Sequence, residues 1–141
     1  MGRSRGGLST KIHLLANGLG EPVAFRLTGG QAGEFAEALP LLAGRQAEIV
    51  MADRGYDSNA IVAAIESIGA EAVIPSKIYR KVQRPHDRTL YKLRNRIERC
   101  FSRLKQFRRL ATRYCKRRAA FQATVTLACA WIHLDRYVDT P

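Results

Sequence analysis

Alternating apolar and polar positions in the first part of the chain predict a β-hairpin. Apolar side chains alternate with polar ones over residues 9–16, and the same period returns over residues 22–27. Strict alternation is typical of a strand with one buried face. The intervening segment at 17–20, Asn-Gly-Leu-Gly, consists largely of residues that favour turns. We therefore predict an antiparallel hairpin over residues 9–27.

Beyond the hairpin, helical and strand patterns alternate. The predicted elements are a helix at 34–43, a strand at 49–52, a helix at 58–68, a strand at 72–75, a basic loop at 76–88, and helices at 89–111 and 116–137. The wholly apolar run at 49–52 is typical of a strand buried on both faces. The core-facing side of the last helix is predicted to carry Phe121, Val125, Ala128, Trp131 and Ile132. This order of elements, with a strand-helix-strand unit at 49–75, predicts an α/β domain.

Charge is distributed unevenly along this domain. The chain has 24 Lys and Arg against 12 Asp and Glu, a net charge of +12. Residues 1–75 hold six basic and eight acidic side chains, whereas residues 76–141 hold eighteen and four. Clustered Lys and Arg favour a polyanion such as nucleic acid, because binding releases condensed counterions. A solvated basic face without a dedicated partner is the alternative, and the acidic first half disfavours a membrane surface.

The sequence also excludes several classes of protein. A length of 141 residues with 46% hydrophobic and 26% charged residues is typical of one globular domain. No apolar run reaches the roughly 18 residues of a membrane span, and the N-terminus lacks the apolar core of a signal peptide. Cys100, Cys115 and Cys129 are odd in number and lack the spacing of a zinc site. Reduced thiols in a cytoplasmic protein are therefore expected.

A carboxylate follows the predicted strand at 49–52. Asp53 begins the pentapeptide Asp-Arg-Gly-Tyr-Asp. Ligands of open α/β sheets bind beyond the carboxyl ends of the strands, which makes Asp53 a candidate functional residue. A turn-forming or helix-capping role for Asp53 is the alternative, and it is equally common after a strand.

The predicted helix at 89–111 carries a second candidate carboxylate in a basic setting. At about 100° per residue, a stripe about 60° wide at the border of the apolar face contains Tyr91, Arg94, Glu98 and Lys105. The apolar face contains Leu90, Leu93, Ile97, Phe101 and Leu104. Three arginines face solvent or a polyanion, namely Arg96, Arg99 and Arg103. For Arg94 and Glu98, an ordinary salt bridge along the helix is the alternative.

The combination of these motifs resembles the DDE transposases of bacterial insertion sequences, and most of all their insertion-sequence-five-like group. The similarity rests on an Asp-Arg-Gly-Tyr motif after an apolar strand, beginning at Asp53, and on the spacing Y-x2-R-x3-E-x6-K, beginning at Tyr91. The segments at 6–13 and 27–31 are similar to that group as well. The resemblance therefore covers nearly the whole chain.

The resemblance implies a ribonuclease-H-like fold of the retroviral-integrase type, a mixed five-stranded sheet flanked by helices. By position, Asp53 is the second Asp of the catalytic triad and Glu98 is its Glu, and both are implied to be ligands of two divalent metal ions. Mg²⁺ is the expected ion and Mn²⁺ the other candidate, since hard cations prefer carboxylate oxygens. The candidate DNA-binding residues, from the resemblance and from the basic side of the helix, are Arg54, Tyr91, Arg94, Arg96, Arg99, Arg103 and Lys105.

The first Asp of the triad is not assigned to a residue of this chain. In the family it ends the first, central strand, upstream of the hairpin, and neither Asp57 nor Asp87 ends a predicted strand. Some elements of this group encode the transposase in two overlapping reading frames, and this chain is similar to the downstream product. We therefore expect a partial catalytic domain that lacks the first central strand, is inactive alone and needs fusion to an upstream segment.

The function expected from these features is DNA transposition, by metal-dependent cleavage and strand transfer at insertion-sequence ends. The expected partners are the element ends, the target DNA, the upstream segment and a second copy of the chain. The expected location is the bacterial cytoplasm, in association with the nucleoid. The alternatives are a non-catalytic DNA-binding regulator, an inactive remnant of the element, and a generic basic module that binds RNA or DNA.

Overall fold

The computed structural model describes residues 2–4, 7–33, 35–112 and 117–138. The strands and helices are β1 Gly2–Ser4, β2 Gly7–Ala16, β3 Pro22–Gly29, α1 Phe35–Leu42, β4 Ile49–Met51, α2 Asn59–Ser67, β5 Glu71–Val73, α3 Arg88–Lys92, α4 Asn95–Gln106, α5 Arg108–Ala111 and α6 Arg118–Val138. The predicted mixture of α and β structure is thus confirmed. Cys115 and the predicted helix starts at 34 and 116 lie outside the described residues. No helix in the described ranges has the length and apolar character needed to cross a membrane.

The chain divides into two compact units, of which the first contains Met1–Gly30 and Asn95–Pro141. Its sheet has the strand order β1-β2-β3. The strands β2 and β3 pair antiparallel over Thr10–Ala16, which confirms the predicted hairpin. The strand β1, which the sequence pattern did not predict, pairs antiparallel with the beginning of β2, from Gly2 opposite Ser9 to Ser4 opposite Gly7.

The turn between β2 and β3 is closed by Asn17 and packs on α4. The Asn17 Oδ1 accepts the N–H groups of Leu19 and Glu21, both at 3.0 Å. Gly20 has a φ of +81°, and a Cβ at this position would lie 3.2 Å from the Cβ of Arg96. Because side chains disfavour this φ and the neighbouring helix leaves little space, Gly20 suits the turn.

The core of the first unit lies between the hairpin and the helices α4, α5 and α6. Its buried residues are Leu27, Leu104, Leu110, Phe121, Val125, Ala128 and Ile132. Four of the five stripe residues of α6 are therefore buried as predicted. Trp131, the fifth, is 59% exposed, so its predicted role as a core residue is wrong. At about 100° per residue, Trp131 projects roughly 90° away from the centre of the buried stripe.

The second unit, Gln31–Arg94, combines a two-stranded sheet with helices. The strands β4 and β5 pair in parallel, and α2 connects them. The Ser58 Oγ caps α2 by accepting the Ile61 N–H at 3.1 Å, as the Ser at the predicted helix start suggests. The buried core contains Ala38, Ile61, Val62, Ile65, Ala70 and Ile74. The residues of β4 are half-buried and not covered on both faces as predicted, because β4 belongs to a sheet of two described strands.

The prediction of one continuous helix over residues 89–111 is wrong, because the chain breaks twice. After α3, the N–H groups of Leu93 and Arg94 donate to carbonyls three residues back, at 2.9 and 3.0 Å, which tightens the turn and ends the helix. After α4, Phe107 is extended, with a φ of −73° and a ψ of 101°, and α5 then places Leu110 in the core. Leu93, predicted to face the core, is exposed. The stripe calculated for one helix over residues 89–111, which ran from Tyr91 to Lys105, therefore applies only within α4.

Candidate functional site

Asp53 lies directly beyond the carboxyl end of β4. The preceding Ala52 donates its N–H to the carbonyl of Val73 at 3.4 Å, which extends the pairing of β4 with β5 by one residue. Asp53 then caps a short 3-10 helix, Arg54–Tyr56, and its Oδ1 accepts the Gly55 N–H at 2.7 Å. The capping alternative for Asp53 is thus confirmed. Asp53 also lies at the sheet edge where α/β proteins bind ligands, and its functional role stays a prediction.

The chemistry of the two candidate carboxylates fits a hard divalent cation. In the described ranges of the chain, the Gly55 N–H is the one hydrogen-bond donor to the Asp53 carboxylate, and it engages Oδ1. Such a bond orients a carboxylate while its second oxygen is able to bind a metal ion. Mg²⁺ and Mn²⁺ both take carboxylate ligands. The described residues themselves form no cluster of three or more His, Cys, Asp or Glu side chains that could hold a metal ion.

Asp57, four residues after Asp53, is a buried anchor. Its side chain is 1% exposed, and its Oδ2 accepts the Lys77 N–H at 2.7 Å and the Arg80 Nε at 2.9 Å. Its Oδ1 accepts a hydrogen bond from Arg84. Burial alone raises the pKa of Asp57, but the hydrogen bonds from Arg80 and Lys77 and the charges of both arginines outweigh burial and hold this pKa below its usual value. These contacts occupy both oxygens, which makes Asp57 unsuited to replace the unassigned first Asp.

Tyr91 and Arg94, two of the predicted DNA-binding residues, lie together after a capped helix start. The Asp87 Oδ1 caps α3 by accepting the N–H groups of Thr89 and Leu90, at 2.7 and 3.0 Å. The Arg94 Cζ lies 5.4 Å from the centre of the Tyr91 ring, in the geometry of a cation–π contact. A His86 ring edge meets the same tyrosine, with ring centres 5.5 Å apart. The tyrosine therefore fixes the guanidinium from one side.

Glu98 and Lys105 lie on α4. Glu98 occupies the first turn of this helix, where the helix dipole favours a negative charge. Lys105 follows seven residues later, which places it on the same side of the helix. Both side chains are exposed, while Cys100 and Leu104 face the core. Glu98 and Lys105 therefore share one side of α4, as predicted, and this side is exposed.

The remaining candidate DNA-binding residues differ in their surroundings. Arg54 and Arg99 are exposed. Arg96 donates to the carbonyl of Gly18 in the hairpin turn. Arg103 forms a salt bridge with Asp135 of α6, with Nη2 and Oδ2 2.5 Å apart. Arg96 and Arg103 thus also connect α4 to its neighbours in the first unit.

The sequence analysis missed the residues that surround Asp57. Arg80 and Arg84 were counted only as part of a basic loop, and Asn59 was not singled out. The Asn59 Oδ1 accepts hydrogen bonds from both arginines, at 3.0 Å from Arg80. The available signal was the spacing of the two arginines by four residues within the stretch 77–84, which has no acidic residue, close to a motif that contains a second aspartate.

Comparisons with known proteins agree with these motifs. Residues 2–132 match the family described as a transposase DDE domain. A Brucella ovis protein named as a transposase for insertion sequence element IS6501 is 37% identical over 129 residues, which cover 90% of this chain and 99% of that protein. A Burkholderia cepacia protein named as a transposase for insertion sequence element IS402 is 31% identical over 135 residues, covering 87% of this chain and 62% of that protein. No solved structure matched the chain. The resemblance seen in the sequence is confirmed: this chain belongs to the family of DDE transposases of insertion sequences.

Proposed function

We propose that this chain acts in DNA transposition, as part of an enzyme that cleaves phosphodiester bonds at insertion-sequence ends and transfers the resulting strand. Asp53 and Glu98 are the proposed metal ligands, with Mg²⁺ as the first candidate and Mn²⁺ as the second. The observation that carries this proposal is the position of Asp53, beyond the carboxyl end of β4 with one oxygen fixed by the Gly55 N–H. The names of the two relatives, both transposases, support it.

The side chains of this chain contribute binding and charge. Two bound metal ions would activate the attacking oxygen and stabilise the leaving oxygen of the displacement. The planar guanidinium of Arg94 can grip two phosphate oxygens, whereas Lys105 acts as a point charge. The stacking of Arg94 on Tyr91 restricts the guanidinium before DNA arrives, which lowers the entropy lost on binding. Positioning and charge neutralisation are the main demands of phosphoryl transfer.

We further propose that a segment encoded upstream supplies the third carboxylate and the central strand of a ribonuclease-H-like sheet. The contacts of the two nearest alternatives support this, because Asp57 is bound by Arg80 and Arg84 and Asp87 caps α3. The proposed partners are DNA, this segment and a second copy of the chain, in the cytoplasm near the nucleoid.

A strand-transfer assay on a supercoiled donor plasmid tests the proposal. With Mg²⁺ and the upstream segment fused to the chain, Asp53→Asn and Glu98→Gln are each expected to abolish strand transfer and to leave DNA binding intact. Glu66→Gln is the matched control, since Glu66 is an exposed glutamate of α2 outside the proposed site. Full activity of either site variant would overturn the metal-ligand assignment. Strand transfer by the chain alone would overturn the need for the upstream segment.

A further inference from the structure

Residues 77–84 belong to the first part of the predicted loop at 76–88, and the name basic loop is used below for these residues. A buried carboxylate holds this segment. Asp57 accepts hydrogen bonds from the backbone N–H of Lys77 and from the side chains of Arg80 and Arg84. Asn59 accepts further hydrogen bonds from both arginines. The two arginines are about a quarter exposed, while the Asp57 side chain is 1% exposed. The base of the loop is therefore fixed to the interior of the second unit.

Hydrogen bonds within the loop also define its conformation. The Gln83 Nε2 donates to the carbonyls of Lys77 and Arg80, at 3.1 and 2.9 Å. The Arg84 N–H donates to the Oγ of the buried Ser76 at 2.8 Å, and the Arg80 N–H donates to the Lys77 carbonyl at 3.0 Å. Backbone polar groups satisfied in this way hold a loop in one shape. These hydrogen bonds fix the loop backbone, and the fixed backbone directs the other side chains of the loop to solvent.

The outward side chains are apolar or basic. Tyr79 is 94% exposed, Ile78 is 72% exposed and Val82 is 77% exposed, so none of the three contributes to the core. Lys77 and Lys81, on either side of Tyr79, are exposed as well. Apolar side chains grouped on an ordered, exposed segment mark a binding surface. The loop thus presents an exposed aromatic ring with an exposed lysine two residues before it and another two residues after it in the sequence.

The charge of the loop points to the chemistry of its partner. Lys77, Arg80, Lys81 and Arg84 are cationic, and no residue from 77 to 84 is acidic. Asp57 offsets one of these four charges, so the loop stays positive. An exposed aromatic ring with cationic neighbours in the sequence matches the two parts of a nucleotide, because an aromatic ring can stack on a base and cations neutralise phosphates.

We propose that the basic loop binds single-stranded DNA, with an unpaired base stacked on Tyr79 and neighbouring phosphates bound by Lys77 and Lys81. This proposal rests on the proposed function, since it adds a contact to the DNA on which the transposase acts. Asp57 is a positioning residue of this contact, because it holds the loop without touching the DNA itself. The positive charge of the loop favours DNA over a second copy of this chain as the occupant, because the chain has a net charge of +12 and would be repelled.

Binding measurements in EDTA, with the full chain, separate this contact from catalysis. The probe is a short single-stranded oligonucleotide that carries 2-aminopurine, compared with a blunt duplex of the same sequence. Tyr79→Ala is expected to weaken single-strand binding roughly ten-fold, by loss of one stacked base, and to leave duplex binding unchanged. Tyr79→Phe is expected to retain binding, whereas Tyr79→Leu, which is apolar but not aromatic, is expected to lose it. Leu19→Ala is the control for an exposed apolar residue elsewhere.

The lysines have a separate readout. Lys77→Gln and Lys81→Gln are each expected to reduce the slope of log affinity against log salt by about 0.7, the value for one phosphate of a single strand. Single-strand affinity and salt slope equal to those of the unaltered chain in all loop variants would overturn the proposal. A change in oligomeric state of Tyr79→Ala with unchanged DNA affinity would also overturn it, and would assign the loop to an interface between copies.

The outcomes also distinguish this inference from the proposed function. Loss of strand transfer in Asp53→Asn together with unchanged single-strand binding in Tyr79→Ala overturns the loop contact and supports the catalytic assignment. Weakened single-strand binding in Tyr79→Ala together with full strand transfer in Asp53→Asn supports the loop contact and overturns the catalytic assignment.

Discussion

Asp57 and Arg80 are joined by a hydrogen-bonded ion pair in which the Arg80 Nε lies 2.9 Å from the Asp57 Oδ2. The carboxylate is buried, whereas the arginine is about a quarter exposed. Asp57 belongs to the motif that begins with Asp53, so one short segment supplies both the candidate metal ligand and the anchor of the basic loop. The ion pair therefore connects the order of this loop to the ionisation of a single side chain.

Asp57→Asn is expected to lower the free energy of unfolding by about 3 kcal/mol at neutral pH, because it leaves two arginines without their buried partner. In the folded protein, the hydrogen bonds and charges that offset burial hold the pKa of Asp57 below its ordinary value of about 3.9, so the ionised form stabilises the fold at pH values above the unfolded pKa. This stabilisation is lost as pH falls through the folded-state pKa. Urea unfolding of both proteins at neutral and acidic pH measures the difference. A stability difference between the two proteins that does not decrease at all from neutral to acidic pH would contradict the assignment.

Gly20→Ala is expected to destabilise the protein by about 1–2 kcal/mol. The substitution places a Cβ at a φ of +81° and 3.2 Å from the Cβ of Arg96, so both backbone strain and crowding oppose it. Gly18→Ala is the matched control in the same turn, because a Cβ there meets no atom within 4 Å. Thermal unfolding of the two variants gives the comparison. Equal stability would show that the turn does not pack on α4 as described.

The sequence predicted those elements whose periodicity is local. The hairpin at 9–27 and the helix at 58–68 follow from alternation, turn residues and a capping serine, all of which lie within a few residues of each other. The breaks after Lys92 and Gln106 did not follow from the pattern, because helical periodicity continues across them. The break after Gln106 depends on tertiary packing, since the extended Phe107 allows Leu110 to enter the core.

The candidate site likewise contains residues that local motifs predict and residues whose contacts only the tertiary structure reveals. Motif spacing identified Asp53 and Glu98, and the structure places the first at a strand end and the second on an exposed helix face. The partners of Asp57 lie more than twenty residues away in sequence, at Arg80 and Arg84. An ion pair over such a separation leaves no periodic signal, so sequence reasoning recorded only a basic loop. Likewise, the Gly18 carbonyl bound by Arg96 is a backbone group that no residue type reveals.

Cys129 is expected to be unreactive towards maleimide in the folded protein. Burial raises the pKa of Cys129 to about 11, with a further contribution from neighbouring Cys100, so about one thiol in ten thousand is ionised at neutral pH. Burial also raises the pKa of Cys100, although the charge of Arg103 partly offsets it. Peptide mapping after brief labelling follows each cysteine separately, and labelling in urea gives the fully reactive reference. Rapid modification of Cys129 without urea would contradict the raised pKa of its thiol.

Ile132→Ala is expected to lower the free energy of unfolding by about 3 kcal/mol, because Ile132 is 1% exposed in the core of the first unit and its truncation leaves a cavity. Leu127→Ala, on the exposed side of the same helix, is the matched control and is expected to change stability by less than about 0.5 kcal/mol. Both substitutions put alanine into α6, so differences in helix propensity are small. Urea unfolding measures both. A cost for Leu127→Ala similar to that of Ile132→Ala would mean that another molecule covers the exposed side of α6 in solution.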